Sequence, residues 1–438
     1  SSLLMRLSGR YPLCGRGDVN TYAVFAELKR SLVNPIGRAG FIAPTGIATD
    51  DTTKAFFQAL VRTRGLLSIY GFENEDKIFP GVHHAFRFCL MTLAGNSGVS
   101  DGDPEFAFFL RATEELSDAE RLFRLSHADI CLLNPNTGTC PVFRTRRDAE
   151  ITKGIYRRVP VLIDETKGDA GNPWGLRVRR LFDMNRADTL SQCRRPGPQE
   201  AGWVPMYESK LMHQFDHRWA TYADGTVEDQ TLVQKARPTN QTRFRFELPL
   251  SVLDARLEGL TNRAWLLAWR DITGTEKIRT VIATVLPRVA TDFTLRIGFP
   301  TLAEASDAAV FVGLLNSLPF DYVSRQMLGG THLSDYILEQ LPAPSPEVFH
   351  DGCPFRISAQ PLQVWLATRV LELSYSADDL APFACDLGYA GPPFRWDETR
   401  RHVIRCELDA AFFHLYGIPR ADVDYIMDTF PIVRRNDE

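Results

Sequence analysis

The sequence is poor in most features that would announce a class at once. No apolar run approaches the roughly 18 residues needed for a helix to cross a membrane, so no helical span is expected. The eight cysteines (Cys14, Cys89, Cys131, Cys140, Cys193, Cys353, Cys385 and Cys406) are scattered. None forms a C-x-x-C pair, which argues against a structural zinc site. With no signal peptide in view, that scatter fits a reduced, cytosolic setting. Charge of one sign is also missing, since 50 Lys and Arg face 54 Asp and Glu for a formal net charge of -4. Binding to nucleic acid by overall charge is therefore not expected, although a local basic groove remains open. There is no internal repeat, no low-complexity tract and no initiator Met. The chain starts at Ser1 without a leader, and reads as beginning inside a larger protein or as trimmed.

What is present is an ordinary globular composition, 44% hydrophobic and 24% charged, in 438 residues. That length suffices for two or three domains with a large core. The densest chemistry lies in residues 205–222, PMYESKLMHQFDHRWATY. Lys210, His213, His217 and Arg218 stand among Tyr207, Phe215, Trp219 and Tyr222, with Glu208 and Asp216 close enough to orient the cations. Cations beside aromatics suit a surface that holds phosphates and lies against bases. The same pattern also fits a half-buried strand pair with a solvated charged face.

Taken in order, residues 20–32 read as an amphipathic helix stopped by Asn34-Pro35. Strands are expected at 40–44, 66–72 and 86–93, with a helix at 51–62 between the first two. Helix, strand, helix, strand, strand is the closing half of a doubly wound α/β sheet. Residues 113–127 show near-helical spacing, with Ser117 and Glu120 as a capping box. A helix at 147–158 leads into an apolar strand at 159–163. Arg177, Arg179 and Arg180 give a helical segment a basic face, 243–247 alternates like a half-exposed strand, and 264–271 and 280–287 read as buried strands. Arg270 and Asp271 suggest an ion pair. Residues 306–340 read as helix, break at Pro319, polar turn and helix. Helices follow at 360–376, 397–418 and 420–430, with a proline-rich connection at 377–397.

Several of these segments resemble large adenine-specific DNA methyltransferases of the type IIG restriction-modification and phage-defence class. Residues 207–218 are similar to that family's Y-E-(G/S)-K-(L/M)-x-H-Q-F-D-H-R. Asn20, Tyr22, Phe25 and Glu27 match N-x-Y-x-x-F-x-E, and Gly37, Gly40, Phe41, Ile42 and Pro44 match G-x-x-G-F-I-x-P. Phe72-Glu73-Asn74 and residues 78–82 match a later F-E-N and I-F-P-G-V. Asn172-Pro173-Trp174 with Phe182, Met184, Asn185 and Asp188 resembles the opening of the family's recognition domain. The L-N-S helix, the G-G-x-x-L turn and the L-P-x-P exit in residues 306–344 resemble a DNA-approaching feature shared with type I specificity subunits. Residues 407–410, 415–417 and 425–430 resemble a C-terminal helical cap.

The resemblance implies S-adenosylmethionine chemistry on adenine N6 through base flipping. Yet the family's glycine-rich cofactor turn and its (N/D/S)-P-P-(Y/F/W) loop are both missing. The nearest string, Gly391-Pro392-Pro393-Phe394, has Gly where a hydrogen-bonding side chain is required and comes far too late. The expectation is therefore an α/β closing half of a Rossmann-like methyltransferase sheet in residues 1–150. An α+β target-recognition domain follows in 151–345, and a helical cap in 346–438. The implied partners are double-stranded DNA and a missing N-terminal catalytic half or partner subunit. S-adenosylmethionine is expected only for the intact enzyme. The candidate DNA-binding residues are Lys210, His213, His217, Arg218, Lys277, Arg279, Arg325, Gln326, Gly329 and Gly330.

Two other readings stay open. Asp164, Glu165 and Lys167 after an apolar strand form half of a Mg²⁺-dependent nuclease signature. Alternatively, the chain is a non-enzymatic scaffold of a defence complex. His83-His84 and His213-x-x-x-His217 are the histidine pairs to test for metal.

Overall fold

The computed structural model describes residues 2–17, 19–84, 86–95, 102–197, 201–274, 277–301, 304–328, 330–355 and 360–437. The chain forms two compact units. One comprises residues 1–167 with 326–330, the other 168–325 with 331–438. The segment expected as a cap therefore belongs to the same unit as the segment expected as a recognition domain.

The first unit is built on a five-stranded mixed sheet. Helix α1 (Thr21–Leu32) precedes β1 (Arg38–Pro44), and α2 (Lys54–Arg62) links β1 to β2 (Leu66–Glu73). Then come β3 (Arg87–Ala94), β4 (Glu105–Leu110) and the short β5 (Phe123–Arg124). The sheet order is β1-β3-β2-β4-β5. Strands β1 and β2 each run antiparallel to β3 and so parallel to each other, while β2 and β4 pair parallel. Helix α2 buries Phe56, Phe57, Leu60 and Val61, the i, i+1, i+4, i+5 stripe that an amphipathic helix presents to a core. Strand β2 lies inside the sheet and is largely buried, whereas β1 pairs only with β3 and is mostly exposed along its length. Ile42 on β1 and Phe25, Leu32 and Ile36 around α1 are exposed apolar side chains.

Residues 113–127 depart from expectation. They hold a 3-10 turn over Thr113–Ser117 and then β5, not a helix. Phe123 joins an aromatic stack with Phe106 and Phe143, at 5.9 and 5.4 Å between ring centroids, and that packing overrides the local helical spacing. The capping boxes sit further on. Ser126 with Asp129 opens α3 (His127–Leu133), and Thr145 with Asp148 opens α4 (Arg146–Arg158). Residues 159–163 form no strand.

In the second unit, β6 (Arg177–Arg179) is a strand where a helix was expected. It is followed by β7 (Trp203–Tyr207), β8 (Ala220–Ala223), β9 (Thr226–Asp229) and β10 (Glu247–Pro249). Helix α5 (Leu250–Leu257) leads to β11 (Trp265–Arg270), β12 (Ala283–Pro287), β13 (Ala290–Thr291) and β14 (Leu295–Phe299). Three small sheets result: β12-β11-β14-β6, β10-β7-β13 and the hairpin β8-β9. Met206, Leu211, Leu266, Leu286 and Ile297 help form their shared core.

Helix α6 (Ala305–Asn316) is apolar all round and almost wholly buried, as a helix covered on every side must be. It packs on β12 and on α8 (Leu362–Ser374), after α7 (Leu318–Met327). The chain breaks at Ser317, and Pro319 lies in the first turn of α7, where its missing N–H has no intrahelical partner to lose. Helix α9 (Glu398–Leu415) is capped by Asp397, which accepts from the Arg400 N–H at 2.9 Å, and α10 (Arg420–Asp428) and α11 (Pro431–Asp437) close the chain. Among the described residues no helix is long and apolar enough to cross a membrane.

Candidate nucleic-acid interface

The stretch that dominates the sequence turns inward. His213 and Asp216 exchange backbone hydrogen bonds across a tight turn, with Phe215 at φ 57° in the left-handed region. Gln214 donates to the carbonyls of Val281 and Asn316 at 3.3 and 3.2 Å. The Asp216 carboxylate is buried beside the Lys235 ammonium, 2.8 Å away, and Lys235 lies over the rings of Trp219 and Trp396. Burial pushes the Asp216 carboxyl up, but Lys235 and Arg401 outweigh it and hold it below the usual carboxylate range.

Two of the predicted DNA contacts are the deepest parts of this cluster. Arg218 is 1% exposed. Its guanidinium donates to the carbonyls of Lys235, Arg237, Asn240 and Ser376 at 2.8–3.1 Å. His217 is 0% exposed and pairs through Nε2 with Asp379 at 2.8 Å. A guanidinium enclosed by four carbonyls has no free edge for a phosphate. Arg279 is also buried, bonded to Asp321 at 2.8 Å and to the Asn316 carbonyl, and Gln326 is buried as well. These side chains hold the fold at the positions where sequence alone suggested a surface. His213 is half-buried against Trp219, with ring centroids 4.5 Å apart. Burial first, then Arg270, push its imidazole down to about 3.

Other predicted residues do come together on the surface. Lys210 is exposed and reaches Glu208 at 2.8 Å, whose other oxygen accepts from the Tyr222 hydroxyl. Partial burial works against the Lys210 charge, but Glu208 and Tyr222 hold its pKa above the ordinary value. Residues 271–273 and 331–333 lie side by side, joined by Thr273 N–H to Thr331 carbonyl at 3.0 Å and Leu333 N–H to Asp271 carbonyl at 2.8 Å. Arg325 donates to the Lys277 and Ile278 carbonyls at 2.8 and 3.0 Å. Lys277 and Gly330 are exposed, and Gly329 lies outside the described residues. Asp271 does not pair with Arg270, whose guanidinium donates instead to the Met212 carbonyl. Arg296, His332 and Arg180 surround the Asp271 carboxylate at 3.1, 3.1 and 3.6 Å.

One cleft brings together cations of which sequence reasoning singled out only Lys210. This cleft has a volume of about 1420 Å³ and is walled by Arg195, Lys210, Arg243, Arg245, Trp203 and Phe244. Arg195, Arg243 and Arg245 are exposed, and no carboxylate among the described residues pairs with them. Four acids line the same cleft, Asp224, Glu247, Asp378 and Asp379, of which Glu247 holds Arg194 at 2.6 Å and Asp379 holds His217. The signal was the R-F-R-F-E alternation. The expected strand begins only at Glu247; in the irregular stretch before it Phe244 packs on Tyr207 with centroids 4.7 Å apart, and Arg243 and Arg245 are exposed. A long groove lined by cations and aromatic rings has the chemistry to follow a polyphosphate backbone and stack bases.

The other candidate chemistries are less well served. Asp164 and Lys167 pair with each other at 2.8 Å, and Glu165 opens a 3-10 turn instead of following a strand. No group of three His, Cys, Asp or Glu among the described residues is placed to hold a metal ion. The Gly391–Phe394 string does not fit the methyltransferase loop either, because the Phe394 ring stacks on Tyr389 at 4.9 Å.

No family model matches the chain, and no curated protein matches it. Solved structures do. The chain is similar to the type IIL restriction-modification enzyme MmeI in complex with DNA, at 12% identity and a TM-score of 0.43 over 98% of this chain and 55% of that one. It is similar to the type IIG restriction endonuclease BpuSI, at 14% identity and 0.28 over 94% and 51%. It is also similar to the ATP-dependent type ISP restriction-modification enzyme LlaBIII bound to DNA, at 11% and 0.34 over 77% and 27%. The chain thus spans about half the length of the first two of these structures.

Proposed function

We propose that this chain is the DNA-recognising part of an S-adenosylmethionine-dependent adenine-N6 DNA methyltransferase of the restriction-modification or phage-defence class. The observation that carries the DNA reading is the cleft with three exposed arginines, Arg195, Arg243 and Arg245, none of which pairs with a carboxylate among the described residues. Lys210 on the same cleft and Lys277 on the adjoining loops would grip the backbone. The loops near residues 207–210, 273–274 and 331–332 would approach base edges.

The methyltransferase part of the reading rests on the motif likeness and on the first unit's sheet. Its parallel strands β1 and β2 flank an antiparallel β3, and β1 leaves one edge unpaired beside exposed Phe25, Leu32, Ile36 and Ile42. Such an edge invites further strands, as a catalytic half carrying the cofactor motifs would provide. The residues present do not fit S-adenosylmethionine or a flipped adenine by the family's pattern, so this chain alone is expected to be inactive.

The test is binding of the chain to a mixed duplex DNA pool at several salt concentrations. Binding that weakens steeply with salt and enriches particular sequences supports a recognition module. Salt-dependent binding without enrichment assigns part of the readout to the missing half. No binding at low salt overturns the proposal in favour of an interaction scaffold.

A further inference from the structure

A second cavity plays no part in that reading. It measures about 630 Å³ and lies where α9 and α10 cover the 213–219 turn and the start of α7. This volume is within the range of roughly 300–1,000 Å³ typical of small-molecule sites. Trp219, Leu318, Phe413 and Met427 give it apolar walls. Polar side chains such as Gln214, His414 and Arg420 interrupt them, and two further groups, Asp409 and His213, keep unmet hydrogen-bonding capacity. One oxygen of Asp409 accepts the Leu318 N–H at 2.7 Å, and no donor among the described residues reaches the other. The nearby Arg279 is already engaged by Asp321 and by the Asn316 carbonyl. The second group is His213, whose ring lies against Trp219 and whose two nitrogens face no protein partner among the described residues.

An acceptor, an imidazole and several apolar side chains thus line one cavity. Burial pushes the Asp409 carboxyl up to about 6 and holds His213 neutral, as expected of polar groups that water does not satisfy. Glu398, His402 and Arg405 also line the cavity, so it is wet on one side.

We propose that this cavity binds a small, flat aromatic amine. The ring would lie against Phe413 and Met427, since His213 and Lys235 already cover the Trp219 ring; its amino group would donate to the free oxygen of Asp409, and a ring nitrogen would bond to His213. The site is separate from the basic cleft and does not depend on the DNA reading.

The test is isothermal titration of the full chain with 2-aminobenzimidazole, beside benzimidazole, which lacks the amino donor. The expected result is saturable one-to-one binding, tighter for the amine. Asp409→Asn, which keeps an acceptor for Leu318 but weakens the second one, should reduce affinity at least tenfold. Ala410→Phe, at an exposed position on the cavity wall, should abolish binding with the melting temperature unchanged. Absence of saturable binding overturns the proposal, as does binding that survives Ala410→Phe. If Asp409→Asn lowers the melting temperature, the Ala410→Phe result decides.

Discussion

Arg218 and Arg243 carry the same guanidinium in the same compact unit and meet opposite fates. Arg218 is enclosed, with four carbonyl oxygens around it, while Arg243 stands on the wall of an open cleft and pairs with no carboxylate among the described residues. The difference lies in their neighbours. Arg218 follows Asp216 and His217 and precedes Trp219, so polar groups of both signs are interleaved with large rings over a few residues. Only a buried network satisfies such a segment, because each charge needs a partner and each ring needs cover. Arg243 and Arg245 lie in an irregular stretch before β10, where Phe244 and Phe246 pack on the core and Arg245 lies over the Phe246 ring with both guanidinium groups exposed. Cations adjacent to aromatics in sequence therefore do not by themselves mark a surface.

The sharpest way to break this comparison is to remove the buried member. Arg218→Ala would leave the carbonyls of Lys235, Asn240 and Ser376 without donors and Asp216 with less compensation. Unfolding free energy in urea should fall by about 3–5 kcal/mol, the usual consequence of breaking a buried charged network. Arg218→Lys should rescue little, since one ammonium cannot reach all four carbonyls. A loss below about 1 kcal/mol, within the range of surface positions, would mean that the network does not hold the fold.

Removing the exposed members should do the reverse. Lys210→Gln, Arg243→Gln and Arg245→Gln together should leave stability within about 0.5 kcal/mol. DNA affinity should fall by about 100-fold at low salt, and the slope of log K against log salt should drop by about 3, near 0.9 for each lost phosphate contact. An unchanged slope, measured by fluorescence anisotropy, would remove the cleft from the DNA interface.

Much of the fold was legible in the sequence, and the parts that were not share a cause. Helices α1, α2, α4, α8, α9 and α10 fall where periodicity and caps placed them, as do strands β1, β2, β3, β11 and β12. These segments have a strong local pattern that agrees with their packing. The stretch at 113–127 failed because Phe123 gains more from the aromatic stack with Phe106 than from its helical spacing. Residues 177–180 failed because the arginines that suggested a helix face lie on an edge strand paired with β14. The site was legible in part. Lys210 and Lys277 are exposed as expected, but exposure at 213–218 depends on residues far along the chain, such as Ser376 and Asp379, that local reading cannot supply.

The smallest expected effect compares two buried titrating groups, His213 and Asp292. Burial holds the Asp292 carboxyl up near 6, although Thr294 donates to it. The folded state therefore keeps that proton to higher pH than the unfolded chain. Its contribution is favourable below the unfolded value near 4 and is lost as pH rises through about 6. His213 has the opposite sign. Its folded pKa lies far below the ordinary value, so its contribution is present above about 6.5 and declines as pH falls toward 3. Between pH 4 and 6 the two slopes oppose each other. Asp292→Asn should remove the falling one, so that the variant gains about 2 kcal/mol relative to the parent on going from pH 4 to 6. Parallel stability curves for the two proteins across that window would show that Asp292 titrates like an exposed carboxyl.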